Sequence, residues 1–175
     1  FLNIGEDHIS EAEHRDFEDY FQSKLKLFDQ CETACVNLDS DQEERILQEA
    51  SKCKRVVTFG LQERADIYGY NVATSGNSIT FQVRSDSFDE EFRINMPGLF
   101  NVSNALAAIA ISYALNIPLK NIRAGLKKAQ VSGRMEVYTN RSNDLYVIVD
   151  YAHNKMSFES LFTSMKREFP NKKIT

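Results

Sequence analysis

The sequence predicts an α/β protein: a parallel sheet plus a small antiparallel sheet, packed with buried helices, and then the opening of a second α/β unit. Three observations carry this. Between residues 34 and 59 short β-branched runs alternate with an amphipathic helical stretch. From 67 to 94 three strand-like runs follow one another with no helix between them. From 145 to 175 a strand, an amphipathic helix and a further strand-like run succeed each other, which is how a new parallel sheet begins.

Taken in order, Phe1-Leu2-Asn3-Ile4 reads as the end of a strand. Residues 1–24 hold seven acids (Glu6, Asp7, Glu11, Glu13, Asp16, Glu18, Asp19) against Arg15 and Lys24, which suits a solvated loop leading into the positive end of a helix dipole. That helix is expected over 16–28, with Phe17, Tyr20, Phe21, Leu25 and Phe28 on one stripe. A strand follows at 34–38. Ser40-Asp41-Gln42-Glu43 has the pattern of a capping box and opens a second helix with Ile46, Leu47 and Ala50 inside. A strand at 55–59 closes at Gly60. Strands are then expected at 67–72, 78–84 and 90–94, with Ser75-Gly76-Asn77 turning the first pair. A helix over 102–115 is apolar on most sides and hence buried. Pro118 starts another over 119–129. Strands at 137–139 and 145–149 flank the polar turn 140–143, and a helix over 157–169 carries Phe158, Leu161, Phe162, Met165 and Phe169. A domain boundary is placed near Gly133, giving units 1–132 and 133–175.

Composition narrows the function. Of 175 residues, 42% are hydrophobic and 26% charged, ordinary for a globular protein. The net charge of −4, with no block of Lys and Arg, gives no general attraction to nucleic acid. The longest apolar run, 105–111, is too short to span a bilayer, and no stretch reads as a signal peptide. Cys31, Cys35 and Cys53 are an odd number without framework spacing and read as reduced, cytosolic thiols. Cys31 and Cys35 with a His are a formal zinc alternative, but no Cys-x-x-Cys pair exists and buried packing is the default. Phe1 is no initiator Met and Lys172-Lys173-Ile174-Thr175 reads as a strand just beginning, so both edges look cut from something longer.

Lys24 stands on the apolar stripe of the first helix, four residues after Tyr20 and three after Phe21, while Lys26 points away. The plain reading is a snorkelling lysine. The functional one starts from full burial, which would disfavour the ammonium. A neutral amine adds carbon dioxide, and the resulting carbamate is a carboxylate on a long arm, suited to Mg²⁺. The acids nearby oppose a second anion, so a metal would have to stabilise it. His8, just after the expected strand end, is the natural companion, because α/β proteins place sites there; alone it reads as structural or solvated.

Four stretches together resemble the Mur ligase family. Asn3-Ile4-Gly5-Glu6-Asp7-His8 is similar to its Asn-x-x-x-Asp-His. Phe17-Glu18-Asp19-Tyr20-Phe21-Gln22-Ser23-Lys24 is similar to the helix bearing its carbamylated lysine. Gly98-Leu99-Phe100-Asn101-Val102-Ser103-Asn104-Ala105-Leu106-Ala107-Ala108 resembles Gly-x-Phe-Asn-x-x-Asn-x-Leu-Ala-Ala. Gly133-Arg134-Met135-Glu136 with Asp150-Tyr151-Ala152-His153 resembles the pair typical of the branch that adds the third peptide residue to UDP-N-acetylmuramoyl-dipeptide. Four matches in the family's order over nearly the whole chain are specific where each alone is weak.

The resemblance implies the second part of a Mur ligase central domain, followed by the start of a Rossmann-like C-terminal domain. It implies a cytoplasmic enzyme of peptidoglycan and cell-wall synthesis, serving cell shape and division. ATP phosphorylates a substrate carboxylate, and an amino acid's amine then forms the amide. His8 would bind Mg²⁺, and carbamylated Lys24 would orient a metal near the γ-phosphate. Asn101 and Asn104 would lie near the nucleotide, Asn104 at adenine. Arg134 would reach it from the hinge, Asp150 would bind the ribose, and His153 would stand close by. Against these roles stand the plainer readings of Asn101 and Asn104 as helix caps and of Asp150 as a strand end. Three departures stand out. No Gly-x-x-x-x-Gly-Lys-Ser/Thr loop occurs, so the chain alone is expected to lack ligase activity and to bind ATP weakly or not at all. Asn154-Lys155 replaces Thr-Pro, and the 8–24 stretch is about two residues longer than in common members. The amino acid added, L-lysine or meso-diaminopimelate, stays open. Two alternatives remain: a folylpolyglutamate synthase-like ligase, whose match to the last motif pair is poorer, and a non-catalytic Mur-like binding protein.

Overall fold

The computed structural model describes residues 1–6, 9–10, 13–142 and 144–175. Five strands, β1 (Thr33–Asn37), β2 (Arg55–Gly60), β3 (Ile67–Ser75), β4 (Ser78–Arg84) and β5 (Asp89–Ile94), form one sheet in sequence order. β1 and β2 are parallel over five residue pairs, and β3, β4 and β5 are antiparallel. The antiparallel section thus extends the parallel one, through a parallel contact of two pairs, Phe59↔Ile67 and Gly60↔Tyr68. The turn expected at 75–77 is a two-residue hairpin closed by the Ser75↔Ser78 pair, with Gly76 at φ 55°.

Alternation along β1 sorts the two faces. Ala34 and Val36 face a smaller core with α1 (Phe17–Leu25) and α2 (Glu43–Ala50), where Ile4, Phe21, Ile46 and Ala50 are buried. On the other face α3 (Phe100–Ala114) and α4 (Leu119–Lys128) cover Val57, Phe59, Ile67, Phe81 and Phe92 in the larger core. α3 presses in closely: a Cβ on Gly69 of β3 would lie 2.8 Å from Leu106 Cδ1.

β6 (Glu136–Thr139) and β7 (Tyr146–Val149) form a separate antiparallel pair, followed by α5 (Lys155–Glu168). Among the described residues no helix is long and apolar enough to cross a membrane.

Four expectations are corrected. The helix expected over 16–28 ends at Leu25, and Lys26–Gln30 tighten into a 3₁₀ turn whose three-residue period keeps Leu25 and Phe28 buried on one side. The capping box at Ser40 does not form. Gln42 is left-handed (φ 62°) immediately before α2, which breaks the helical path from Ser40, and the Ser40 hydroxyl donates to the Asp41 carbonyl. Residues 1–4 are not a full strand. The Phe1 N–H donates to Cys35 O (2.6 Å) and Asn37 N–H to Phe1 O (3.1 Å), the bond pair a parallel ladder makes around one residue, here opposite Val36. Residues 172–175 form no strand, although they line one groove with residues 146–148 of β7.

Candidate functional site

Three groups of side chains bear on function. The first lies on α1. Asp16 caps this helix, its carboxylate accepting the Asp19 N–H at 2.9 Å. Lys24 is half-buried on the apolar stripe, with its Nζ 4.9 Å from the Tyr20 ring centre and 5.9 Å from that of Phe1. Aromatic faces attract a cation, and full burial, the premise for a neutral amine, is not met. His14, which carried no role in the sequence, also stands against Tyr20. Its ring is 5.3 Å from Tyr20 and its Nδ1 is 3.2 Å from Asp19 Oδ2. Asp19 is held below the usual carboxylate range first by the Arg15 N–H and then by His14. His8, with Asp7, lies outside the described residues. Among the described residues no three His, Cys, Asp or Glu side chains stand together as a metal ligand set.

The second group opens α3. Gly98 turns the chain at φ 89°, a left-handed conformation that favours glycine. A Cβ there would also lie 2.7 Å from the Phe100 ring and 3.3 Å from Met135 Cγ. Asn101 is buried in the first turn of the helix. Its amide donates to Pro97 O (2.7 Å), and its Oδ1 accepts from exposed Asn104 (3.2 Å). A cap would accept a backbone N–H instead, so the capping alternative for Asn101 is excluded. Asn104 is otherwise exposed, with an oxygen and a second N–H that this bond does not use.

The third group joins residues 133–136 to residues 150–153. Glu136 accepts the Gly133 N–H (3.0 Å) and sits below its usual range, chiefly because of that bond. Met135 is fully buried against Gly98, and its N–H donates to Asp150 Oδ2 at 2.7 Å. Asp150 Oδ1 accepts the Ala152 N–H at 2.8 Å. Both carboxylate oxygens are therefore engaged by backbone, which is the strand-end role, although a carboxylate retains further acceptor sites. Arg134 lies over the Tyr151 ring (4.8 Å), and that ring is 4.9 Å from the His153 ring. His153 Nδ1 meets Tyr151 O at 3.0 Å; a carbonyl only accepts, so Nδ1 carries a proton. Asn154 replaces Thr without loss of function as a cap: it accepts Ser157 N–H at 2.9 Å, and Ser157 Oγ accepts the Asn154 N–H in return, a full capping box on α5.

The second and third groups meet around Gly98, and α5 reaches Gly5 as well. Met156, in the first turn of α5, would stand 2.8 Å from a Cβ on Gly5. Glu168, in the last turn, accepts the Gly98 N–H at 2.7 Å. The second and third groups are thus in contact, whereas no hydrogen bond or ion pair joins Lys24 to Asn101, Asn104, Arg134, Asp150 or His153 among the described residues. No motif marked Glu168, which reads as one more polar helix residue.

Glu168 Oε2 is buried with no hydrogen-bond partner among the described residues. Burial raises its carboxyl above the ordinary value of 4.5, against the smaller lowering effect of the Gly98 N–H. A raised carboxyl binds its proton more tightly folded than unfolded. Its stabilising contribution is full below the ordinary value and is lost as pH rises through the higher folded value. Glu168→Gln, neutral throughout, is therefore expected to be better tolerated at pH 7 than at pH 4, as read by the difference in Tm from the unsubstituted chain at each pH.

A family model described as the Mur ligase middle domain matches residues 1–112. The UDP-N-acetylmuramoyl-L-alanyl-D-glutamate–2,6-diaminopimelate ligase of Caldanaerobacter subterraneus is 35% identical over 175 residues, 99% of this chain and 35% of that protein. The chain thus spans about a third of the length of this curated relative. MurF from Acinetobacter baumannii superposes with a TM-score of 0.82 at 25% identity, over 94% of this chain and 36% of that one. A folylpolyglutamate synthetase from Lactobacillus casei shares the fold, with a TM-score of 0.63 at 18% identity over 80% of this chain and 36% of that one.

Proposed function

The chain belongs to the Mur ligase family, and from that membership we propose that it acts within an ATP-dependent ligase that adds an amino acid to UDP-N-acetylmuramoyl-L-alanyl-D-glutamate in peptidoglycan synthesis. The proposed setting is the cytoplasm, with residues 1–132 as part of the central domain and 133–175 opening the C-terminal domain. One observation carries the reading. Met135, seated on the Gly98 turn that starts the Asn101 helix, donates its N–H to Asp150, so the amide pair and the Arg134–Tyr151–His153 stack belong to one surface.

The donors present fit a nucleotide. Asn104 offers one acceptor and one N–H, enough for an adenine edge, and buried Asn101 fixes its direction. Asp150 suits a ribose diol with its remaining acceptor capacity. Arg134, held over Tyr151, presents a planar cation to phosphate, and His153 offers Nε2 beside it. ATP, when bound, supplies the phosphoryl group that activates the substrate carboxylate. Such transfer depends on positioning and charge neutralisation more than on covalent help, and these residues supply positioning. For Mg²⁺ the proposed ligands are His8 and carbamylated Lys24, and no step is derived through the metal. The relative's name makes 2,6-diaminopimelate the first amino acid to test, with L-lysine the second.

The test uses the protein at the relatives' full length. With MgATP and either amino acid, phosphate release is expected to require UDP-N-acetylmuramoyl-dipeptide. Release with a folate instead would favour the folylpolyglutamate synthase-like reading. Nucleotide binding without release on either substrate would favour a non-catalytic module.

A further inference from the structure

The three cysteines have no part in the proposed chemistry, yet the fold gathers two of them. Cys31 ends the 3₁₀ turn after α1 and Cys53 lies just beyond α2. Their sulfurs are 3.5 Å apart although 22 positions separate them. Both face the Phe28 carbonyl, at 4.0 and 3.5 Å respectively. Cys53 is buried, and Cys31 is half-buried in the wall of an apolar groove of about 280 Å³ shared with Phe1, Leu27, Ile111 and Leu115. Burial, more than the Cys31 contact, pushes the Cys53 thiol up, so Cys53 is poorly suited to react first. Cys35 also reaches this groove but packs against the core on the other face of the sheet.

We propose that Cys31 and Cys53 form a modification site, a dithiol that closes to an intramolecular disulfide when a small hydroperoxide enters the groove. The Cys31 sulfur attacks the peroxide, the O–O bond breaks, and Cys31 becomes a sulfenic acid while an alcohol or water departs. The Cys53 sulfur then attacks Cys31. The S–S bond forms as the S–O bond breaks, and the hydroxide leaves as water with the Cys53 proton. Two electrons pass from the thiols to the peroxide. The sulfurs must close from 3.5 Å to about 2.05 Å, within one core cluster that already holds both.

The bond closes a loop across α1's end and α2, which restricts the unfolded chain and is expected to raise Tm by roughly 6–12 °C. The test treats the chain with hydrogen peroxide, alkylates remaining thiols and maps unreduced peptides. A Cys31–Cys53 linked peptide is expected, with Cys35 alone alkylated, reversal by dithiothreitol and the rise in Tm. Cys31→Ala and Cys53→Ala each remove the link and the rise. A Cys31–Cys35 link, or sulfinic acid on Cys31 with no cross-link, overturns the proposal. The mapping is read on the unsubstituted chain and does not depend on a variant folding.

Discussion

Lys24→Ala in the full-length protein is expected to lower turnover by about 10²–10³-fold, the range seen when one preorganised charge-stabilising group is removed. The expectation starts from the position of Lys24 on α1. The residues around it, Tyr20, Phe21 and Leu25, are buried, and its nitrogen stands over the Tyr20 and Phe1 rings. The side chain is therefore directed by packing against these rings. Two variants separate the roles. Lys24→Arg keeps a cation but cannot lose its proton to form a carbamate, so it is expected to stay as impaired as the alanine variant. Short carboxylates such as acetate or formate are expected to restore part of the Lys24→Ala turnover. Activity fully retained in Lys24→Arg would assign Lys24 a simple cationic role, and unchanged turnover in Lys24→Ala would remove it from the chemistry.

Leu106→Ala is expected to destabilise the chain by about 2–5 kcal/mol, the range for deleting a fully buried leucine. Leu106 is 0% exposed and lies against Gly69, so nothing else fills the space it leaves. At roughly 2–4 °C per kcal/mol for a chain of this size, thermal unfolding should show a loss of many degrees. Leu115, near the end of α3, is 67% exposed, and Leu115→Ala is expected to change stability by no more than about 0.5 kcal/mol. Equal effects would mean that α3 does not dock on the sheet as described. Because α3 also carries Asn101 and Asn104, Leu106→Ala tests what holds the amide pair in place.

Much of this was readable in the residues, for identifiable reasons. The strand Ser78–Arg84 and its Gly76-Asn77 turn were readable because alternation and turn chemistry act within a few residues. The burial of α3 followed from its apolar residues on most sides. The joining of β2 to β3 was not readable, since it rests on only two residue pairs and leaves no periodic trace. The Ser40 capping box misled because the pattern is local, whereas the path into α2 is set by a left-handed Gln42.

The candidate site divides in the same way. Asn101, Arg134, Asp150 and His153 could be named because the stretches that carry them resemble Mur ligase motifs. What they touch could not. Asp150 was read as a ribose ligand or a plain strand end, and its bond to the Met135 N–H, 15 residues away, depends on the pairing of β6 with β7. Glu168 reaches Gly98 across 70 residues, and no spacing rule spans that distance. Lys24 was placed correctly on the apolar stripe, but its depth depends on Phe1 and Tyr20 and came out half-buried.

Oxygen transfer puts the ligase chemistry to its most direct test. The full-length protein would be given UDP-N-acetylmuramoyl-dipeptide labelled with ¹⁸O in the reacting carboxylate, together with MgATP and 2,6-diaminopimelate. Formation of an acyl phosphate moves one labelled oxygen onto phosphorus, so each amide formed should release one phosphate carrying ¹⁸O. Amide formation with unlabelled phosphate, or phosphate release without amide, would contradict the proposed reaction.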